Sequence, residues 1–189
     1  MTSPDGKYQF TLSDSGGQLH YSLTWNGKQT VKPSLLGINA NVEWRDGVEI
    51  GTVDSSRKDT IWHPVYGERS EIKDCYNAWK ILVNRQNGRD KLILDIRAYD
   101  EGIAFRYHFP GGQYLKITDE YTEYTMPEGT KAYFTPKAQT PYSYLPLESW
   151  SACASLRTST VAHGFWAQQP RQGSTSVVTQ IYWPDTFSR

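Results

Sequence analysis

Period-two alternation, glycine-rich turn chemistry and the lack of any helical period predict an all-β chain folded as a large antiparallel sandwich. Tyr8–Leu12 and Leu19–Trp25 alternate apolar with polar residues, the pattern of strands buried on one face. Turn dipeptides fall between such runs. No segment shows a helix pattern, a heptad or an internal repeat. Many short strands with regular turns fit two sheets packed face to face.

Taken in order, Ser15-Gly16-Gly17 turns the chain between the first two strands. Asn26-Gly27 supplies the two positive-φ residues of a type I′ hairpin turn after the second. Further strands are predicted over Ile61–His63, Ala78–Arg85, Lys91–Tyr99 and Ile103–Phe109, joined through Asn87-Gly88 and Asp100-Glu101-Gly102, with Pro110-Gly111-Gly112 turning the chain after the last. Along the Lys91–Tyr99 strand, Leu92, Leu94 and Ile96 take one face while Ile93, Asp95 and Arg97 take the other. Such one-sided burial suits antiparallel sheets.

The chain of 189 residues is long enough to bury one real core. Lysine plus arginine equals aspartate plus glutamate, 20 against 20, so no global field draws it to nucleic acid or an anionic membrane. Aromatics reach 14%, content that must in part pack the core, and composition does not divide core rings from exposed ones. No apolar run approaches the ~18 residues of a spanning helix. The start, Met1-Thr2-Ser3-Pro4-Asp5, has neither the basic nor the apolar region of a secretory signal, which taken literally predicts a cytoplasmic product. Cys75 and Cys153 are expected as free thiols.

The tail departs from this grammar. After Trp150 there is no Lys or Glu, and Asp185 is the only acid, while Ser, Thr and Gln dominate. Thr175–Tyr182 reads as one more strand. Three readings of 151–189 stand open: a genuine final segment, a disordered linker, or a reading-frame shift near Trp150. The frame shift is the favoured one.

Several segments carry a resemblance to a known family. They are Ser3-Pro4-Asp5-Gly6-Lys7, Trp62-His63-Pro64-Val65-Tyr66-Gly67-Glu68, Asp74-Cys75-Tyr76-Asn77, the hairpin Arg97–Tyr107, and Ile117-Thr118-Asp119-Glu120. Over residues 3–150 the chain resembles the N-terminal β-domain of glycoside hydrolase family 97, which includes α-glucosidases and α-galactosidases. The resemblance implies a galactose mutarotase-like β-super-sandwich. It also implies a partner, the (β/α)8 barrel that follows in such enzymes and supplies their catalytic acid and base. Without that barrel the chain is expected to be inactive, an accessory domain that packs on the barrel and walls part of a carbohydrate pocket. The family is typically exported to the periplasm, and some members take a calcium ligand from this domain.

Glycoside hydrolysis uses two carboxyl groups about 5–5.5 Å apart in retaining enzymes and about 6.5–9.5 Å apart in inverting ones. The chain offers Glu68, Glu71, Asp100, Glu101, Asp119, Glu120, Glu123 and Glu148. Spacing does not bring any two together. Asp100-Glu101-Gly102 reads as a turn, and Asp119, Glu120 and Glu123 as a solvated strand and its edge. No catalytic residue is therefore assigned. The pocket-facing stretch implied by the family contains Tyr142, Tyr144 and Trp150 as candidate sugar-stacking rings and Glu148 as a candidate calcium ligand. Calcium favours about six to eight hard oxygen ligands. Structural roles are expected for His20, His63, His108 and His163, and ion pairs for Arg97 and Arg106 with Asp95 or Glu101. Two other functions compete: a free-standing carbohydrate-binding module, with coplanar exposed aromatics, and a mutarotase-like enzyme, with a His and a Glu converging in a concave face.

Overall fold

The structure, a computed structural model, describes residues 1–86, 88, 90–111, 114–134, 141, 143–147, 166–167 and 175–182. Its strands are β1 (Tyr8–Ser15), β2 (Gln18–Trp25), β3 (Lys28–Leu36), β4 (Ile38–Ala40), β5 (Val42–Glu43), β6 (Val48–Trp62) and β7 (Ile72–Arg85). They continue as β8 (Lys91–Tyr99), β9 (Gly102–Phe109), β10 (Ile117–Glu120), β11 (Lys131–Phe134), β12 (Ser143–Pro146), β13 (Trp166–Ala167) and β14 (Thr175–Tyr182). Among the described residues there is no α-helix, and every strand pairing that is formed is antiparallel. The all-β expectation holds.

The strands form a three-stranded sheet β1-β2-β3 and a six-stranded sheet β13-β14-β9-β8-β7-β6, with smaller sheets β10-β4-β5 and β11-β12. Gly16 and Gly17 sit at φ 61° and 79° between β1 and β2, and Asn26 and Gly27 at 49° and 75° between β2 and β3. Both are the left-handed pairs that a two-residue hairpin with right-twisted strands requires. Pro33 falls within β3 where the pairing to β2 shifts register, a place where a missing N–H costs no ladder bond.

The core lies between the β1-β2-β3 sheet and the inner face of the six-stranded sheet. Phe10, Tyr21 and Phe105 meet there, with ring centroids 5.4 Å (Phe10–Tyr21) and 5.8 Å (Tyr21–Phe105) apart. Leu92, Leu94, Ile96 and Ala98 line the inner face of β8, all fully buried. Each such large apolar side chain contributes about 1.5–3 kcal/mol by leaving water. The two buried tyrosines keep their hydroxyls satisfied. Tyr21 Oη donates to the Glu123 carbonyl at 2.7 Å, and Tyr107 Oη lies 2.9 Å from Thr122 Oγ1. Burial, above all, pushes both phenols well above their ordinary pKa, so they stay neutral donors and tie this core to the 121–125 segment.

Three sequence expectations need amendment. The strand predicted at Ile61–His63 is the end of β6, which runs 15 residues from Val48. From Thr52 onward β6 is exposed throughout, so no apolar face exists to give it an alternating signature. The predicted strand at Ala78 begins six residues earlier, at Ile72, in a stretch whose buried residues, Cys75 and Tyr76, are adjacent rather than alternating. Arg97 makes no carboxylate pair among the described residues and stacks instead over the Tyr76 ring, 4.7 Å from its centroid. The expected final strand at Thr175–Tyr182 is present as β14, paired along β9 from Thr175↔Phe109 to Tyr182↔Gly102.

Candidate functional site

Two of the sequence signatures meet in space. Ser3 opens a tight turn whose carbonyl accepts from Gly6 N–H at 3.0 Å. The Ser3 hydroxyl donates to Asp5 Oδ1 at 2.6 Å and accepts from Tyr8 N–H at 3.0 Å. The Asp5 N–H donates in turn to Asp100 Oδ1 at 2.8 Å, and Asn77 Nδ2 donates to the Thr2 carbonyl at 2.9 Å. The Ser3–Lys7 and Arg97–Tyr107 segments are thus two halves of one clamp that pins the N-terminus to the β8–β9 turn. Asp100 and Glu101 occupy that turn, as expected, and Asp100 is spent on structure.

The richest chemistry lies on the face of the six-stranded sheet that points away from the core. Register places Asp54, Lys80, Asp95 and Arg106 directly opposite one another across β6, β7, β8 and β9. Directly opposed residues share a face, so the row alternates in charge. At its centre Arg106 Nε donates to Asp95 Oδ2 at 2.7 Å, with the Asp95 side chain only 10% exposed. His108 Nδ1 lies 3.8 Å from the same oxygen. Both Asp95 Oδ1 and His108 Nδ1 are buried without a hydrogen-bond partner among the described residues. The next row is Ser56, Ala78, Arg97 and Ala104, with small side chains on both sides of Arg97. Beyond it Tyr76 and Tyr99 pack at 4.9 Å.

A separate cleft of about 390 Å³ lies beside β4 and the end of β9, lined by Trp44, Phe109, Val42, Pro110, Asn41 and Asp90 among others. Trp44 and Phe109 meet edge to face at 6.3 Å. The rings are buried, at 1% and 8% exposure, so neither offers a flat face to a sugar.

Of the residues predicted from sequence for binding, Tyr144 is exposed on β12 with Lys131 Nζ 5.8 Å from its ring centroid. Tyr142, Trp150 and Glu148 lie outside the described residues, as do Cys153 and His163. Cys75 is a buried free thiol, and His63 Nδ1 lies 3.1 Å from the Ser70 carbonyl at the β6–β7 tip. Among the described residues no three His, Cys, Asp or Glu side chains gather as a metal site. Ile61, Trp62, Val65 and Tyr66 are exposed at the same tip, Val65 by 97%. Sequence reasoning offered Asp95 or Glu101 as partners for Arg97 and Arg106 without choosing between them, and overlooked the row in which Asp95 and Arg106 stand.

Fold and surface together define an antiparallel β-sandwich domain that carries its charged side chains on a sheet face, with acids dispersed in turns and edges. The chain belongs to a glycoside hydrolase family: the description "Glycosyl-hydrolase 97 N-terminal" matches residues 1–170. It is 27% identical over 135 residues to a retaining alpha-galactosidase of Bacteroides thetaiotaomicron, covering 70% of this chain and 19% of that protein. A family 97 glycoside hydrolase of Pseudoalteromonas sp. strain K8, solved with panose, superposes with a TM-score of 0.72 at 24% identity over 78% of this chain and 24% of its own. A beta-arabinopyranosidase gives 0.68 at 23% identity, over 77% of this chain and 26% of its own. The two structural likenesses establish the fold, and the chain spans about a quarter or less of each relative's length.

Proposed function

We propose that this chain acts as a non-catalytic accessory domain of a family 97-like glycoside hydrolase, packing against a (β/α)8 catalytic domain and forming part of its carbohydrate pocket wall. The observation that carries the reading is the family match over residues 1–170 in a chain that spans only 19% of its curated relative. The exposed Ile61, Trp62, Val65 and Tyr66 at the β6–β7 tip support it, because an apolar cluster held out into water suits burial against a second body. In this reading Tyr142, Tyr144 and Trp150 lie towards the sugar, calcium belongs to the assembled enzyme with Glu148 as a ligand, and the assembly works in the periplasm. The substrate would be an α-glucoside or α-galactoside.

The test is release of nitrophenol from α-glucoside and α-galactoside substrates by the purified chain, with and without calcium. No release above background is expected. Turnover well above background would overturn the accessory role.

A further inference from the structure

We infer that the free edge of β6 pairs with the same edge of a second copy of this chain, antiparallel over residues 53–59, joining two six-stranded sheets into one. This goes beyond the accessory role and does not rest on it. Among the described residues β6 ends the six-stranded sheet on one side with β7 as its strand partner, while the other side ends in the two-residue β13. Over residues 52–62 β6 is exposed, so no described element covers that edge. The direction of its backbone groups follows from its start. Val48 N–H donates to the Gly17 carbonyl and Ile50 N–H to Asp14 Oδ2, both at 2.9 Å and both away from β7. Past the bulge, Val53 stands opposite Ile81 as Ile50 stands opposite Val83. Two steps along β7 restore the same phase of the ladder. Val53, Ser55, Arg57 and Asp59 therefore turn their N–H and C=O groups outward, an open template for another strand.

Charge selects the occupant and the register. Charged residues on an edge ordinarily keep strands apart, but the order of charges here is self-complementary. Two copies related by a two-fold axis present the same patch to each other, and outward groups must meet outward groups, so the axis passes through a residue. With the axis at Ser56, Asp54 of each copy stands opposite Lys58 of the other, Ser55 opposite Arg57, and Val53 opposite Asp59. An axis at Asp54, Arg57 or Lys58 sets like charges face to face, and one at Ser55 leaves Asp54 opposite Ser56. The Ser56 axis also continues the alternating row Arg106, Asp95, Lys80 and Asp54 on the outer face, with Lys58 of the second copy as its next member. Lys58 Nζ already donates to Asp74 Oδ2 at 2.6 Å, and an ammonium with three N–H donors can bond a second carboxylate as well.

The experiment is sedimentation equilibrium of the purified chain across a concentration series, combined with cysteine cross-linking. A reversible monomer–dimer equilibrium is expected, with a dissociation constant of about 10–100 µM, the weak end that a single paired edge supports. Ser55→Pro removes an N–H that points away from β7, a position where an edge strand tolerates proline. It should weaken the dimer about tenfold or more, with urea unfolding showing that the variant keeps its fold. Ser56→Cys, in a Cys153→Ser background, should cross-link to itself on mild oxidation, because opposed residues at the axis lie ~4.5 Å apart between Cα atoms, within disulfide reach. Thr60→Cys in the same background should not, since its two copies would stand about 26 Å apart along the strands. A chain that stays monomeric about tenfold above that concentration range, a dimer unweakened in folded Ser55→Pro, or equal cross-linking at positions 56 and 60 overturns the assignment. So does a dimer that Val65→Ser alone dissolves, which would put the contact at the apolar β6–β7 tip. None of these results touches the accessory role, which is read from hydrolysis.

Discussion

Asp95 and Arg106 allow the arrangement on this sheet face to be measured. Breaking a fully buried ion pair by removing one partner costs about 3–5 kcal/mol, whereas exposed pairs contribute about 0.2–1 kcal/mol. This pair lies between, with the acid 10% exposed and the base 41%. The short 2.7 Å contact is made by a buried oxygen, so a coupling of about 1–2 kcal/mol follows from interpolating between those two limits. The perturbation is a double-mutant cycle of Asp95→Asn, Arg106→Gln and the combined variant. The assay is urea unfolding at neutral pH, with unchanged slopes showing that the variants share one folded state. Because one partner is buried, most of the coupling should survive high salt. A coupling below about 0.3 kcal/mol, within the scatter of independent sites, would show that the carboxylate is solvated and would refute the picture of a desolvated acid held by Arg106.

Two further outcomes follow from the core and the N-terminal clamp. Phe105, 1% exposed and ringed by Phe10, Tyr21 and Tyr107, should cost about 3–5 kcal/mol when changed to alanine; a loss under about 1 kcal/mol in chemical denaturation would mean the two sheets do not pack through it. The Asp5 carboxyl titrates at about 2 rather than 3.8: slight burial works against this, but bonds from the Ser3 hydroxyl and the Lys7 N–H, with the Lys7 ammonium beside it, outweigh that effect. A depressed acid stabilises the fold above its unfolded pKa and loses that contribution as pH falls through the folded value. The clamp should therefore hold at pH 4 and loosen towards pH 2, with carboxyl carbon shifts of Asp5 reporting the midpoint; a midpoint near 4 would mean the turn is open in solution.

The contrast between β8 and β6 shows what the sequence could and could not reveal. Strand β8 is flanked by core on one side and charge on the other, so Leu92, Leu94 and Ile96 alternate with Ile93, Asp95 and Arg97, and the strand runs Lys91–Tyr99 as predicted. Strand β6 has no buried face beyond Ile50, so the run Asp54-Ser55-Ser56-Arg57-Lys58-Asp59 carries no period. It is held by backbone bonds to β7 and by the Lys58–Asp74 ion pair at 2.6 Å, neither of which composition can show. The same logic governs the site. A two-residue turn at Asp100-Glu101 fixes Tyr99 opposite Gly102, and counting back along the hairpin puts Asp95 opposite Arg106, so that pair was legible. Placing Lys80 against Asp95 needs the register of β7 and β8 across a longer connection, where no turn rule supplies it. That Asp95 Oδ1 is buried without a partner among the described residues is further still from the sequence, because it depends on burial. A charged residue that is one-tenth exposed and half-bonded carries an electrostatic cost. Here that cost sits on the outer sheet face beside His108 Nδ1, a second buried polar atom without a partner among the described residues, and only burial and register, not residue order, bring the two together.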